Sequence, residues 1–324
     1  MFFTVGHHFQ NRLFIVGDDV VDLSLDASYL FELVGDHIWS NNVYSLASLD
    51  LVTTRQDISP KLWFWAKDGL VTYFDADLTP GYIATTTPST GAISLVYTCE
   101  SDHTIGHPIA PLGVSDSIYV PVNGPTAPTD AVRKIASGGA GSVTDYAMPA
   151  NSRPRFLTYK VDGSDITLWS TAGNGVSNLY AIDASDMTAI YDATYDNDGI
   201  TCGGLDYYAP LDQLVVLNAI SYVLHDVASQ TSAAKVTISA APMWSFDASR
   251  YGFWGIKEST SRLYFHDIDS GVTTEESFHD IQADFFPGYA WQNRVFASSA
   301  GYIFIRGSIG GVFNEFVYIP DSLA

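Results

Sequence analysis

Cysteine is nearly absent: Cys99 and Cys202 are the two in 324 residues. Two thiols so far apart make no disulfide framework, and both are expected as buried free thiols. Basic residues are scarce too. Fifteen Lys and Arg stand against 36 Asp and Glu, a formal charge of −21. Phosphate binding needs clustered cations, so this balance argues against nucleic acid as a direct partner. Like-charge repulsion keeps such a surface soluble. Long apolar runs are missing. None approaches the ~20 residues of a membrane-spanning helix. The first residues, Met1 to His8, lack the basic and apolar segments of a cleaved leader. A soluble chain without membrane insertion is expected. Helical periodicity is missing as well, since apolar residues nowhere sustain the i, i+3, i+4, i+7 spacing.

What remains is material for strands. Hydrophobic residues make up 47%, aromatics 14%, and there are 26 glycines. That composition suits many strands, tight turns and a substantial core. The stretch from Leu179 to Tyr191 sets the pattern. Apolar and polar residues alternate on both sides of an Asp183-Ala184-Ser185-Asp186 corner, which is a hairpin signal. The shape returns with corners at Ser28, Asp77, Ser137, Ser229, Ser270 and, most weakly, Ser308. The spacing is near the ~40–50 residues of a propeller blade.

The expectation is an all-β chain, a seven-bladed β-propeller of four-stranded antiparallel blades, with 1–324 as a single domain. Each corner joins the third and fourth strands of its repeat. Repeat one uses 2–10, 12–17, 20–25 and 29–34, and repeat two 43–52, 62–66, 70–74 and 82–86, with an extra strand at 93–98. Repeat three uses 108–113, 118–122, 131–135 and 142–147, and repeat four 156–161, 166–170, 178–182 and 188–193. Repeat five uses 205–209, 213–218, 222–227 and 234–239, and repeat six 243–246, 252–257, 262–268 and 273–278. Repeat seven uses 287–291, 294–297, 302–306 and 313–319. Gln10-Asn11-Arg12-Leu13-Phe14 is echoed by Gln292-Asn293-Arg294-Val295-Phe296, which places both where a first strand turns into a second. The first and last repeats are then each complete. The ring would close by apolar packing through Phe14, Ile15, Phe296 and Phe304, with no strand shared across the termini.

The hydrophobic-Asp-x-x-Ser/Gly corner, as in Ile182-Asp183-Ala184-Ser185, resembles propellers of the YVTN or quinoprotein-like type. That resemblance implies a fold and carries no active site. WD40 repeats are not matched: there is no Trp-Asp dipeptide, and Gly-His occurs only at Gly6-His7 and Gly106-His107. Ser245-Phe246-Asp247-Ala248-Ser249 lacks the glycine of a sialidase Asp-box. Asn11-Arg12-Leu13-Phe14 resembles the strand starts of propellers in tailed-phage virions. This second likeness implies a phage tail or capsid-associated virion protein in a larger oligomeric assembly. Its partners would be other virion or assembly proteins and, on a host, a surface glycan.

No residue constellation compels chemistry. His103 and His107 have i, i+4 spacing, but Gly106 and Pro108 oppose a helix there. With His7 and His8 they are read as loop and strand-end histidines. Asp192 to Gly199 approaches a calcium loop, yet Thr194 and Leu205 stand where two ligands belong, so it is read as an acidic turn. Gly17-Asp18-Asp19 is read as a hairpin turn. Nucleophile-elbow, Walker and dinucleotide glycine motifs are missing. Trp39, Trp63, Trp65 and Tyr207-Tyr208 are read as core rather than as sugar platforms. No catalytic, cofactor-binding or metal residue is therefore assigned, and no cofactor is expected. The leading expectation is a non-enzymatic structural or binding protein. The alternative is a polysaccharide lyase or glycosidase whose carboxylates come from different blades, and 36 acids do not single out a pair.

Overall fold

The computed structural model describes residues 13–19, 32–34, 37–39, 42–45, 51–54, 62–67, 70–75, 80–86, 93–106, 108–109, 111, 115, 117–125, 130–136, 142–171, 178–194, 204–218, 220–260, 262–276, 290–297, 303–309 and 312–318. Among these, all regular structure except two one-turn 3-10 segments is β-strand.

Among the described residues the strands form seven antiparallel sheets. β1 (Leu13–Asp19) belongs to the last of them. The first sheet is β2 (Glu32–Val34), β3 (His37–Trp39), β4 (Asn42–Ser45) and β5 (Leu51–Thr54). The second is β6 (Leu62–Lys67), β7 (Leu70–Asp75), β8 (Tyr82–Thr86) and β9 (Ile93–Thr98). The third is β10 (Thr104–Ile105), β11 (Ile118–Asn123), β12 (Asp130–Ile135) and β13 (Val143–Ala147). The fourth is β14 (Leu157–Asp162), β15 (Asp165–Thr171), β16 (Asn178–Asp183) and β17 (Thr188–Thr194). The fifth is β18 (Gly204–Tyr208), β19 (Gln213–Asn218) and β20 (Ser221–Asp226), edged by the short β21 (Thr231–Ser232) and β22 (Val236–Thr237). The sixth is β23 (Met243–Asp247), β24 (Gly252–Lys257), β25 (Arg262–Asp267) and β26 (Thr273–Glu275). The seventh holds β27 (Ala290–Ala297), β28 (Ile303–Ile309) and β29 (Val312–Tyr318), with β1 beside β29.

Chain contacts gather these into two compact units, one of Met1–Pro60, Pro88–Ala92 and Ile238–Ala324, the other of Lys61–Thr87 and Ile93–Thr237. In the second unit neighbouring sheets pack face to face. Ile83 and Tyr97 of the second sheet, with Cys99 just after it, meet Ile105, Val120 and Val122 of the third. Tyr119 and Val132 of the third meet Leu168, Tyr180 and Ile182 of the fourth. Trp169, Leu179 and Ala181 of the fourth meet Leu205, Leu214, Val216 and Val223 of the fifth. Successive residues on β15 and β16 thus serve opposite interfaces, the period of two that strand geometry imposes. In the first unit the sixth sheet buries Phe253, Trp254, Ile256, Leu263 and Phe265.

The expected strands of repeats four to six are found within one or two residues, except that the outer strand of the fifth sheet is split in two and that β26 ends at Glu275, three residues before the expected 278, with 277 and 278 outside the described residues. The ends of the chain differ. β1 pairs antiparallel with β29, from Leu13↔Tyr318 to Asp19↔Phe313, with a bulge between Ile15 and Gly17. The N-terminal strand therefore completes the last sheet, and the expected closure without a shared strand is overturned. A strand from the N-terminus covers the edge that β29 would otherwise leave unpaired. Phe14, Ile15, Phe296 and Phe304 all lie in this one sheet, with Phe296 directly opposite Phe304. Gly17-Asp18-Asp19 is strand, not turn. The two Asn-Arg copies are not equivalent either: one precedes the outermost strand, the other lies inside the first strand, β27. At the start of the chain the assignment slips by one strand. Of 43–52, residues 43–45 and 51–52 fall on β4 and β5 of the first sheet and 46–50 lie outside the described residues, and 93–98 is the fourth strand of the second.

Candidate interaction surface

In a four-stranded meander the first and third turns fall at the same end of the sheet. The recurrent Asp corner occupies the third turn in the fourth, fifth and sixth sheets. Asp183 Oδ1 accepts from the Ser185 amide at 2.8 Å and its hydroxyl at 2.6 Å. Asp226 Oδ1 accepts from the Ser229 amide and hydroxyl, both at 2.7 Å. Asp267 Oδ1 does the same with Ser270 at 2.7 and 2.8 Å. Such side-chain-to-backbone bonds fix a tight turn that the chain alone would leave loose. The residue after each Asp is tied toward the first turn. The amides of Ala184, Val227 and Ile268 donate to the carbonyls of Ile166, Asp212 and Tyr251 at 3.0, 3.1 and 3.1 Å.

In each of these sheets the end so built is anionic. The Ser185 hydroxyl, then its amide, hold the Asp183 carboxyl below the usual carboxylate range. The Ser229 and Ser270 amides do the same for Asp226 and Asp267. Asp212, in the first turn of the fifth sheet, is held low by Lys160 Nζ at 2.7 Å. Asp162, Asp165 and Asp186 stand exposed on the same turns of the fourth sheet. The nearby cations are engaged: Lys160 by Asp212, and Lys134 by the carbonyls of Ala184 and Ser185 at 2.8 and 3.1 Å.

The buried titratable groups knit sheets together. Arg133 donates to both oxygens of Asp145 at 2.7 and 2.9 Å, to Glu100 at 2.8 Å and to the Tyr97 hydroxyl. Tyr97 and Glu100 come from the second sheet and its exit, so the guanidinium ties second sheet to third. His103 is fully buried, with Nδ1 2.7 Å from Asp102. A Cβ on Gly124 would stand 2.3 Å from its ring, so only glycine admits the imidazole there. Between the fourth and fifth sheets runs a chain of four side chains. Trp169 Nε1 donates to Tyr191 Oη at 3.2 Å, Tyr191 Oη lies 3.3 Å from His225 Nε2, and His225 Nδ1 lies 3.0 Å from Ser232 Oγ.

Cys99 is buried and free, as expected. Tyr207 stacks on Trp169 with centroids 5.8 Å apart, as a core residue does. Trp39, Trp63 and Trp65 lie on β3 and β6. Asp192 to Thr194 of the calcium candidate end β17. His7, His8, His107, Cys202 and the corners at Ser28, Asp77 and Ser137 lie outside the described residues. The Ser308 corner is corrected: Ser308 lies within β28, paired with Phe313. Sequence reasoning missed Tyr191 and His225 as partners. The one available signal was His225-Asp226 recurring as His266-Asp267 before two corners.

No family model matches the chain, and no curated protein matches it in sequence. Among solved structures it is similar to the WD40 β-propeller domain of Doa1, at 12% identity over 89% of this chain and 77% of that one, with a TM-score of 0.48. It is also similar to the β-propeller domain of Cps50 (Swd1) from Myceliophteria thermophila. There the identity is 10%, the coverage 93% of this chain and 98% of that one, and the TM-score 0.62. At that identity the second likeness speaks to fold alone, and it agrees with the repeated four-stranded sheets: the chain folds as a β-propeller.

Proposed function

We propose that the seven sheets are the blades of one propeller spanning 1–324, and that it is a non-enzymatic binding module of a tailed-phage particle. The carrying observation is the repeated corner. In the fourth and fifth sheets, which pack face to face, an ionised Asp is locked at the same end by a Ser amide and hydroxyl, which presents a rigid acidic rim. A rigid rim loses little conformational entropy when a partner docks, and its charge favours a basic protein surface. The virion assignment draws support from the Asn11-Arg12-Leu13-Phe14 likeness. Other virion or assembly proteins are the partners it implies, with a host glycan as a further one.

The test reads the gene's surroundings and the particle together. Portal or tail genes should lie beside it, and mass spectrometry of purified particles should find the chain. Sustained cleavage in a glycan panel, abolished by a single Asp or Glu substitution, would overturn this reading in favour of a polysaccharide-acting enzyme.

A further inference from the structure

We propose that the seam between the fourth and fifth sheets is an acid-sensitive lock, with His225 as its proton sensor. The ring is fully buried. An indole N–H only donates, so Tyr191 Oη accepts from Trp169 at 3.2 Å. The hydroxyl proton of Tyr191 is then satisfied by His225 Nε2 at 3.3 Å, and His225 Nδ1–H by Ser232 Oγ at 3.0 Å. The indole N–H, the tyrosine hydroxyl and the Nδ1–H all have acceptors only while Nε2 is bare. A proton on Nε2 would point at an oxygen already occupied by the indole and leave the tyrosine hydroxyl without its acceptor. It would also put a charge in a buried site, which burial disfavours.

The surrounding charges do not rescue it. On the same strand, Asp226 favours the charged ring, but its Oδ1 is occupied by the amide and hydroxyl of Ser229. In the adjoining first turn Asp212 is held by Lys160 at 2.7 Å and the Tyr207 hydroxyl at 2.8 Å. Asp192 follows Tyr191 on β17 and acts on Tyr146 of the third sheet. From β19 and β21 the ring's opposite numbers are Leu214 and Ser232, both uncharged. Burial therefore holds the imidazole below its ordinary 6.5. A group lowered on folding contributes stability above its unfolded value, and that contribution is lost as pH falls through the folded one. The seam is thus closed at neutral pH and loosens below about 6.5.

Amide hydrogen exchange on the full chain at pH 7.5 and 5.0, corrected for intrinsic rates, tests this. Protection in β17 and β20 should be lost at pH 5.0 relative to pH 7.5, while β11 and β12 keep theirs. In His225→Gln, which cannot titrate, that selective loss should vanish. Should His225→Gln not fold, the wild-type ring's own titration by NMR decides: a midpoint below 6.5 upholds the lock, and one at or above it overturns the lock. Equal loosening in all four strands, or the same selective loss in His225→Gln, also overturns it. None of these readouts depends on what the rim binds.

Discussion

At the scale of single residues, buried polar atoms decide more than the exposed corners do. Asp247 is almost fully buried. Its Oδ1 accepts from the Ser249 amide and hydroxyl at 3.0 and 2.6 Å, and its Oδ2 accepts from Trp254 Nε1 at 2.9 Å. Trp254 is itself fully buried, so its N–H has no water to turn to. Asp247→Ala frees the turn and leaves that N–H unsatisfied. The expected cost is about 2–4 kcal/mol, from one unpaired buried donor and the lost turn bonds. Asp247→Asn should cost nearly as much, because its amide group must face a donor on one side or the other. Urea denaturation checks both, and an unchanged midpoint in either variant would show that the bonds carry no stability. The same substitution at Asp226, whose corner is exposed, should move the midpoint far less. This contrast was not visible from residue types. Asp247-Ala248-Ser249 reads like the other corners, and only the position of Trp254 seven residues on separates them.

Elements are where the chain's two ends meet. β29 has β28 on one side and β1 on the other. Without β1, β29 would become an edge with a row of unpaired amides and carbonyls, a template for another strand. Deleting residues 1–19 should raise hydrogen exchange in β28 and β29 and promote self-association on a sizing column. A synthetic peptide covering 11–20 should reverse both. A monomeric variant with wild-type exchange in β28 and β29 would refute the role of β1. Sequence could not reveal this pairing. Alternation and turn residues are local signals, and they placed the strands of the fourth and sixth sheets, where the corners Asp183-Ala184-Ser185 and Asp267-Ile268-Asp269-Ser270 punctuate each repeat. Nothing local records that Leu13 stands opposite Tyr318. Once that strand was counted into the first repeat, the assignment slipped by one strand until the third sheet. The interface residues were hidden for the same reason: Trp169, Tyr191, His225 and Ser232 meet only because two sheets stack. By contrast, the Asp-Ser corners of the acidic rim were legible, because their partners lie two or three residues away.

For the molecule as a whole, charge is the dominant long-range term. Even if every Lys and Arg were paired, 21 carboxylates would remain without a cation. Two effects then compete as salt is added. Ion pairs weaken, but Arg133 is buried and its bidentate pair with Asp145 is less screened, whereas Arg262–Glu275 is half exposed and contributes little at any ionic strength. Repulsion among the surplus carboxylates is spread over the surface, where the screening length shrinks from ~10 Å at 0.1 M salt to ~3 Å at 1 M. Repulsion is the larger sum, so salt should stabilise. Between roughly 20 mM and 1 M NaCl, which spans those screening lengths, the melting temperature at pH 7.5 should rise by about 2–4 °C, the shift expected for ~1 kcal/mol in a large domain. The control is pH. Near the isoelectric point of about 4.4 the surplus charge is gone, and the same salt step should leave the melting temperature nearly unchanged. A fall with salt at pH 7.5 would show that specific ion pairs, not surplus charge, govern the molecule. A rise of equal size at both pH values would point instead to salt acting on apolar burial.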